Sequence, residues 1–504
     1  MRMDISQERM IQMRLSKLFK NAPTTNVTGL CFDSRKVKEG NVYFCLPGIM
    51  HDGHEFISQA VKNGAICIVH SKELTKDEMP QGAIYIRVDD VTDAMNQVAR
   101  IFYSKPSDKM MMYGVTGTNG KSTITNIIKN IRNLKEPTGY IGTISIEYGN
   151  VHLQPDLTTP DALFLQEKLS DMVRHGMKAC ALEVSSHGLA QHRVDGIDFD
   201  VAIFTNLTYD HLDYHGTMES YFEAKSLLFS QRVKSDGISI LNIDDAKYED
   251  LKKLSQARVI SYGIEKECDY RAININILAD CTKFDLIYRG KTYPVTTNLV
   301  ATYNVYNLLA AIAALNETDM DLEVILQACR RLSQIDGRME QIKLGQPFHV
   351  IVDFAHTPDG IEKMLQFGRK IAKKHKVIVV FGSAGKRDVH KRKIFGQLAD
   401  QYADYIVLTE DDPRDEDPAQ IADQIKEGIE HTNQIYIQNR YEAIRQAIES
   451  ANEGDVVLLL GKGDEPFIYR EEGRAPYTGD NVIAKECIEK YSIYASELNK
   501  EQTK

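Results

Sequence analysis

An apolar run, Met110–Thr116, leads into Gly117-Thr118-Asn119-Gly120-Lys121-Ser122-Thr123, and a helical pattern follows from Ile124 to Asn133. A buried strand, a glycine-bearing turn and a helix in direct succession leave few architectures open. They imply a parallel sheet flanked by helices, with an anion site at the carboxyl end of a strand. Glycines at 117 and 120 let backbone N–H groups approach phosphate oxygens without Cβ clashes. Lys121 supplies a charge for the outer phosphates, Ser122 or Thr123 a hydroxyl for magnesium, and the helix points its positive end at the anion. The strict G-x-x-x-x-G-K-[ST] spacing is not met, because Val115 stands where the first glycine belongs.

The same strand–loop–helix alternation recurs along the chain. Ala179–Val184 and Val201–Asn206 read as buried strands, each ending in polar residues. From about Gln341, strands at His349–Asp353, Lys376–Phe381, Tyr405–Thr409 and Asp455–Leu460 alternate with helices at Pro418–Glu430 and Arg440–Ala451. That stretch resembles a dinucleotide-fold domain without its glycine fingerprint. Before it all lie short strand-like runs, Asn41–Leu46, Ala65–Val69 and Ala83–Val88, and Ser104–Lys109 reads as a linker. A chain of 504 residues is too long for one ordinary core. The expected fold is therefore α/β in three domains: residues 1–108, a central P-loop-type parallel-sheet domain at 109–340, and a C-terminal Rossmann-like domain at 341–504.

Several functions are disfavoured. A formal net charge of −10 argues against a nucleic-acid surface as the main function. Met1–Lys20 lacks the apolar core of a signal peptide, and no stretch is long enough to span a bilayer, so a cytoplasmic location is expected. The eight cysteines are scattered without a C-x-x-C pair, which suits reduced, mostly buried thiols.

Gly117–Thr123 is similar to the variant phosphate loop of the Mur ligase superfamily, and further motifs follow in that family's order. Asp33-Ser34-Arg35 and Asp52-Gly53-His54-Glu55-Phe56 resemble its UDP-sugar signatures. Leu157-Thr158-Thr159-Pro160-Asp161, Glu183 to Leu189 and Asp210 to Gly216 match in the middle. Asp353-Phe354-Ala355-His356, Asp411-Asp412-Pro413-Arg414 and Gly461-Lys462-Gly463 match in the last third. The matches are densest to the MurE type, which makes UDP-N-acetylmuramoyl-tripeptide. The resemblance implies an N-terminal domain for the UDP-sugar, a central one for ATP and a C-terminal one for an amino acid. It also implies an ATP-dependent carboxylate–amine ligase working through an acyl phosphate in cell-wall precursor synthesis.

Roles carry over residue by residue as what that resemblance implies. Glu183 and His211 would be magnesium ligands together with Ser122. Lys225 would be a carbamylated lysine that helps hold a second metal, its plain alternative being a surface lysine on a helix. Lys121 and the whole of Gly117, Thr118, Asn119, Gly120, Ser122 and Thr123 would hold the phosphates. Asn304 and Asn307 resemble the adenine ligands, although Asn304 also suits a helix N-cap. Arg338 resembles an arginine that reaches ATP, and Asp353 the ribose ligand. Ser34 and His54 would meet the UDP-sugar, Ser185 and Arg193 the sugar-peptide, and Thr158 and Thr159 its D-glutamyl end. Implied partners are ATP with Mg2+, a UDP-muramyl-dipeptide and an amino acid, with no nucleic acid or membrane, acting on a monomer.

The amino-acid site would comprise Arg387, Asp411, Asp412, Arg414, Gly461 and Glu465. A guanidinium fork suits carboxylate recognition, so Arg414 favours a side chain ending in a carboxylate, whereas Asp412 pulls toward an ammonium. meso-Diaminopimelate satisfies both and is favoured over lysine. Asp412 stands where the family's diaminopimelate type has Asn, and Gly382-Ser383-Ala384-Gly385-Lys386-Arg387 departs from G-C-G-G-D-R. Alternatives are a folate polyglutamate-type ligase, a non-catalytic homologue that binds the muramyl precursor, and a nucleotide-driven switch.

Overall fold

The computed structural model describes residues 11–48, 51–278, 280–430 and 433–490; part of the N-terminal stretch read for a signal peptide thus lies outside the described residues. Three sheets organise the chain. The first has four parallel strands, Gly29–Cys31, Asn41–Phe44, Ala65–His70 and Ile84–Arg87. Ser104–Lys109 connects it to the next sheet as a packed turn rather than a free linker. Pro106 and Ser107 are buried, and Arg100 holds Asp108 at 2.8 Å.

The second sheet has eleven strands. Met111–Thr116 lies near its middle, parallel to Ala179–Glu183 on one side and Phe199–Phe204 on the other. This placement puts the glycine turn, Glu183 and Thr205–Asn206 side by side at one edge. The helix after the turn, Lys121–Arg132, buries Ile124, Ile127, Ile128 and Ile131, spaced for one helical face. Helix Thr302–Asn316 packs beside it and is apolar nearly all round, as a helix enclosed on every side must be.

The parallel part of this sheet continues into an antiparallel extension, Tyr270–Ile277, Thr282–Tyr288 and Lys291–Thr297. The last two strands join through Arg289 and Gly290, both at positive φ, the two-residue hairpin geometry that follows strand twist.

The third sheet orders its six strands Glu340–Ile342, His349–Asp353, Val456–Leu460, Val377–Phe381, Tyr405–Leu408 and Gln434–Tyr436. Only the first pair is antiparallel. Strands buried on both faces read as continuous Val/Ile/Leu runs, as Val377–Phe381 and Val456–Leu460 do. Asp353, Glu410–Arg414 and Gly461–Glu465 all follow carboxyl ends of these strands, where open α/β sheets bind ligands. No helix among the described residues is long and apolar enough to cross a membrane.

Candidate active site

The glycine turn is fixed by what surrounds it. A Cβ on Gly117 (φ 144°) would lie 1.7 Å from Thr205 Oγ1, and one on Gly120 (φ 92°) 2.4 Å from Asn307 Oδ1. Both positions therefore require glycine. The backbone N–H of Thr118 donates to the Asn206 carbonyl (2.8 Å), and that of Asn119 to Asn206 Oδ1 (3.0 Å).

Lys121 Nζ curls back onto the carbonyls of Gly117 (3.0 Å) and Thr118 (2.9 Å). Lys225 Nζ donates to the same Gly117 carbonyl at 2.8 Å, and lies 4.4 Å from the centre of the Tyr221 ring. Two amines sharing one acceptor, away from water, do not both keep a proton cheaply. Burial first, and then the charge of Lys121, push Lys225 well below the usual lysine range. Lys225 is 1% exposed, so the surface-lysine alternative is excluded.

Glu183, fully buried, is gripped on both oxygens. Oε2 accepts from Ser122 Oγ (2.9 Å) and Thr143 Oγ1 (3.2 Å), and Oε1 from the Tyr140 hydroxyl (2.7 Å) and the Thr143 N–H (3.0 Å). Tyr140 and Thr143 were not singled out from the sequence, because nothing near them marks their distant partner. Ser122 and Glu183 are hard oxygen donors of the kind magnesium takes, and they already touch.

His211 sits elsewhere on the rim. Its backbone is left-handed (φ 54°), and its Nε2 is 3.2 Å from Asp210 Oδ2. Burial pushes its imidazole down to about 3, and those of His187 and His356 down to about 4. All three rings are neutral at pH 7. His187 stacks edge-on to His211 at 4.9 Å. Among the described residues, no group of three or more His, Cys, Asp and Glu side chains lies close enough to hold a metal. The structure thus brings Ser122 to Glu183 and Lys225 to Lys121, but pairs His211 with Asp210.

Asn304 and Asn307 are buried and bonded to each other at 3.0 Å. Helix Thr302–Asn316 is capped by Ala301, not Asn304, whose amide donates to the Val300 carbonyl at 2.8 Å. The N-cap alternative for Asn304 therefore falls. The guanidinium of Arg338 stacks 4.0 Å from the Phe354 ring centre. Asp353 accepts the N–H groups of Met339 (2.7 Å) and Ala355 (2.8 Å), one on each oxygen.

Lys121, Ser122, Glu183, His211, Asn304, Asn307, Arg338 and Asp353 line one cavity of about 1270 Å3 that also reaches Thr158, Arg387, Asp411, Asp412, Arg414, Gly461 and Glu465, whereas Lys225 and His187 lie behind its lining. Several contacts carry the last third of the chain onto the second sheet's elements, the Tyr303 hydroxyl to Met364 Sδ (3.3 Å) among them. Asn119 Nδ2 donates to Asp359 (2.8 Å), Arg387 to Asp213 (3.2 Å) and Arg474 to Asp156 (3.0 Å).

At the amino-acid end, Arg414 donates to the Gly385 carbonyl at 2.7 Å. Lys462, fully buried, reaches Asp412 Oδ1 at 2.9 Å and Glu465 Oε2 at 2.5 Å. The expectation that Asp412 stands ready for a substrate ammonium needs correction: the ammonium it meets is the protein's own. Burial raises Glu465 to about 7 despite that lysine. Burial also raises Asp411, with Asp412 adding to the effect.

Several expected ligands are engaged within the protein. His54 uses Nδ1 on Asp52 (2.5 Å) and Nε2 to accept the Ser71 N–H (3.2 Å), and Ser34 Oγ donates to Gln59 (2.9 Å). Neither lines the large cavity. Thr159, fully buried, donates to the Glu183 carbonyl (2.8 Å) and accepts the Ser185 N–H (2.9 Å). Ser185 Oγ caps the next helix through Gly188 N–H (3.0 Å), and Arg193 donates to the Thr159 carbonyl (2.7 Å). In place, these side chains hold the walls of the site.

Comparison with known proteins agrees in order and extent. Residues 26–103 match the model of the Mur ligase family catalytic domain, 115–315 that of the Mur ligase middle domain, and 337–463 that of the Mur ligase glutamate ligase domain. A UDP-N-acetylmuramoyl-L-alanyl-D-glutamate–2,6-diaminopimelate ligase of Halalkalibacterium halodurans is 39% identical, with 92% of this chain and 94% of the relative covered. One of the same name from Geobacillus kaustophilus is 43% identical, with 88% and 91% covered. A solved structure of a ligase of that name superposes with a TM-score of 0.68 at 30% identity, covering 95% of this chain and 99% of that one.

Proposed function

The chain belongs to the Mur ligase family, and from that premise we propose that it uses ATP to join 2,6-diaminopimelate to UDP-N-acetylmuramoyl-L-alanyl-D-glutamate. One observation carries the reading. A phosphate-type loop, with Ser122 against Glu183, shares a single cavity with a cluster of arginines and carboxylates suited to a diamino dicarboxylate.

The chemistry follows from charge. A substrate carboxylate oxygen attacks the γ-phosphorus, the bond to ADP breaks, and an acyl phosphate forms. The amine then attacks the acyl carbon and phosphate leaves. Bringing two anions together needs neutralisation and positioning rather than covalent help from the protein. In this reading Gly117–Thr123 cradle the phosphates, with Lys121 as the nearest fixed charge. Ser122 Oγ and Glu183 would hold magnesium, which neutralises phosphate oxygens when bound.

Lys225, whose burial disfavours the protonated amine, is placed to react with carbon dioxide to give a carbamate; the carbamate would add an anion beside the loop. His211, neutral at working pH, offers a lone pair near the same rim. Asn304 and Asn307 would face the adenine, Asp353 the ribose and Arg338 the phosphates. Thr158 would meet the D-glutamyl end of the acceptor.

Ser34 and His54 fit a UDP role through the turns they brace, and Thr159, Ser185 and Arg193 fit one as supports for the acceptor channel. Arg387 and Arg414 would grip the amino acid's carboxylates, with Asp411, Asp412, Gly461 and Glu465 lining the same end of the cavity. Residues 1–108, 109–340 and 341–504 would work as the three substrate-binding units of a cytoplasmic monomer.

The product tests the reading. Purified protein incubated with the UDP-linked dipeptide, ATP, magnesium and diaminopimelate should yield the UDP-tripeptide by mass spectrometry, and none when any component is omitted. ADP formation without tripeptide would overturn it.

A further inference from the structure

Lys462 lies behind the amino-acid end of the cavity. It is not among the lining residues, yet Asp412, Arg414 and Glu465 are. Its Nζ joins the turn after Tyr405–Leu408 to the turn after Val456–Leu460, through Asp412 Oδ1 at 2.9 Å and Glu465 Oε2 at 2.5 Å. The Phe467 ring, 5.3 Å away, covers it, and Asp412 Oδ1 also takes the Tyr469 N–H at 3.0 Å.

Two lining carboxylates, Asp412 and Glu465, are thus both engaged by the Lys462 ammonium, and Arg414, whose guanidinium donates to the Gly385 carbonyl, adds a second positive charge at this end of the pocket. Charges this far from bulk water are weakly screened, so the balance is felt by whatever enters. A group ending in a lone ammonium finds Asp412 and Glu465 already engaged by Lys462, with burial disfavouring the charged form of Asp411, and is repelled by Arg414. A group ending in both an ammonium and a carboxylate is itself balanced and keeps Arg414 as a partner.

We propose that Lys462 is a positioning residue that sets amino-acid choice, by occupying Asp412 and Glu465 so that a net-neutral ammonium–carboxylate end is accepted over a lone ammonium such as lysine's. The proposal rests on the ligase reading above. Removing the lysine charge leaves two neighbouring carboxylates; even if they share a proton, the pocket gains negative charge and the preference moves toward lysine.

The test measures amino-acid-dependent phosphate release, with ATP and the UDP-linked dipeptide, for wild type, Lys462→Met and Lys462→Arg. Each receives diaminopimelate or lysine. Lys462→Met should lower the diaminopimelate-to-lysine ratio of kcat/KM at least tenfold, chiefly through KM for the amino acid, with KM for ATP unchanged. Lys462→Arg should restore the wild-type order. An equal loss for both amino acids would show a scaffold role and overturn the proposal.

If Lys462→Met does not fold by thermal melting, Asp412→Asn replaces it. With Lys462 left in excess, that variant should raise the ratio about threefold or more, and an unchanged ratio overturns the proposal. A wild type inactive with every amino acid would instead remove the ligase reading, a separate outcome.

Discussion

Ser122 Oγ lies 2.9 Å from Glu183 Oε2, joining the first turn of the loop helix to the end of the neighbouring strand. The contact exists because Met111–Thr116 and Ala179–Glu183 are adjacent and parallel, so their carboxyl ends share one edge. A hydroxyl and a carboxylate held there, under a loop built for phosphate, form the floor on which a metal–nucleotide complex would rest.

Glu183→Gln should therefore cost both activity and stability. The amide keeps the volume but gives up the charge, and its nitrogen would face a donor, either Ser122 or Tyr140. Phosphate release should fall about 100- to 1000-fold, the scale seen when one pre-aligned electrostatic contact is lost. Stability should fall by roughly 1–3 kcal/mol, the cost of an unmatched buried polar group. A magnesium titration of activity beside thermal melting checks both; unchanged activity at low magnesium would contradict it.

Lys225→Ala should abolish most activity, about 100-fold or more on the same electrostatic scale, with partial recovery in a short carboxylic acid. Burial and Lys121 disfavour the protonated amine, which favours its reaction with carbon dioxide. Carbon NMR on protein in labelled bicarbonate should show a carbamate signal that the variant lacks. The signal should fade as pH falls and the amine takes up a proton.

Acid should weaken the fold through its neutral histidines. His187, His211 and His356 sit at about 4, 3 and 4 when folded, below the unfolded value near 6.5. Between these limits the unfolded chain binds more protons, so stability is full above about pH 6.5 and is lost as pH falls toward 4. Each ring contributes at most about 3 kcal/mol, and His211, whose side chain is 34% exposed, less. Denaturant unfolding at pH 7 and 5 should show this slope, and His356→Gln should flatten it.

Arg387→Ala should raise KM for the amino acid about tenfold while leaving KM for ATP in place. Its guanidinium reaches from the third sheet's loops to Asp213, and it lines the cavity beside Arg414. Loss of both a carboxylate partner and a cross-domain contact weakens amino-acid capture, and steady-state kinetics with each substrate varied in turn separates these effects.

The glycine turn, its strand and its helix were legible because their signals are local: positive-φ glycines, an apolar run and isoleucines on one helical face. Strand ends of the third sheet were legible for the same reason. Contacts between distant positions were not. Lys462 stood in a quoted motif, yet its partner Asp412 lies 50 positions away, and the charge read as waiting for substrate was already matched. His54 looked like a ligand because Asp52–Phe56 resembles the family's UDP-sugar signature; only packing shows both nitrogens in use. The antiparallel extension passed unnoticed because its strands carry polar residues on their open face instead of the continuous apolar runs of the buried strands. Its sign was the Arg289-Gly290 hairpin turn.

Transfer of oxygen tests the central claim most directly. With the glutamyl carboxylates of the UDP-linked dipeptide labelled with oxygen-18, each turnover with ATP and diaminopimelate should place one labelled oxygen in the released phosphate. Phosphate free of label, with the label retained in the peptide, would contradict phosphorylation of the carboxylate in this cavity.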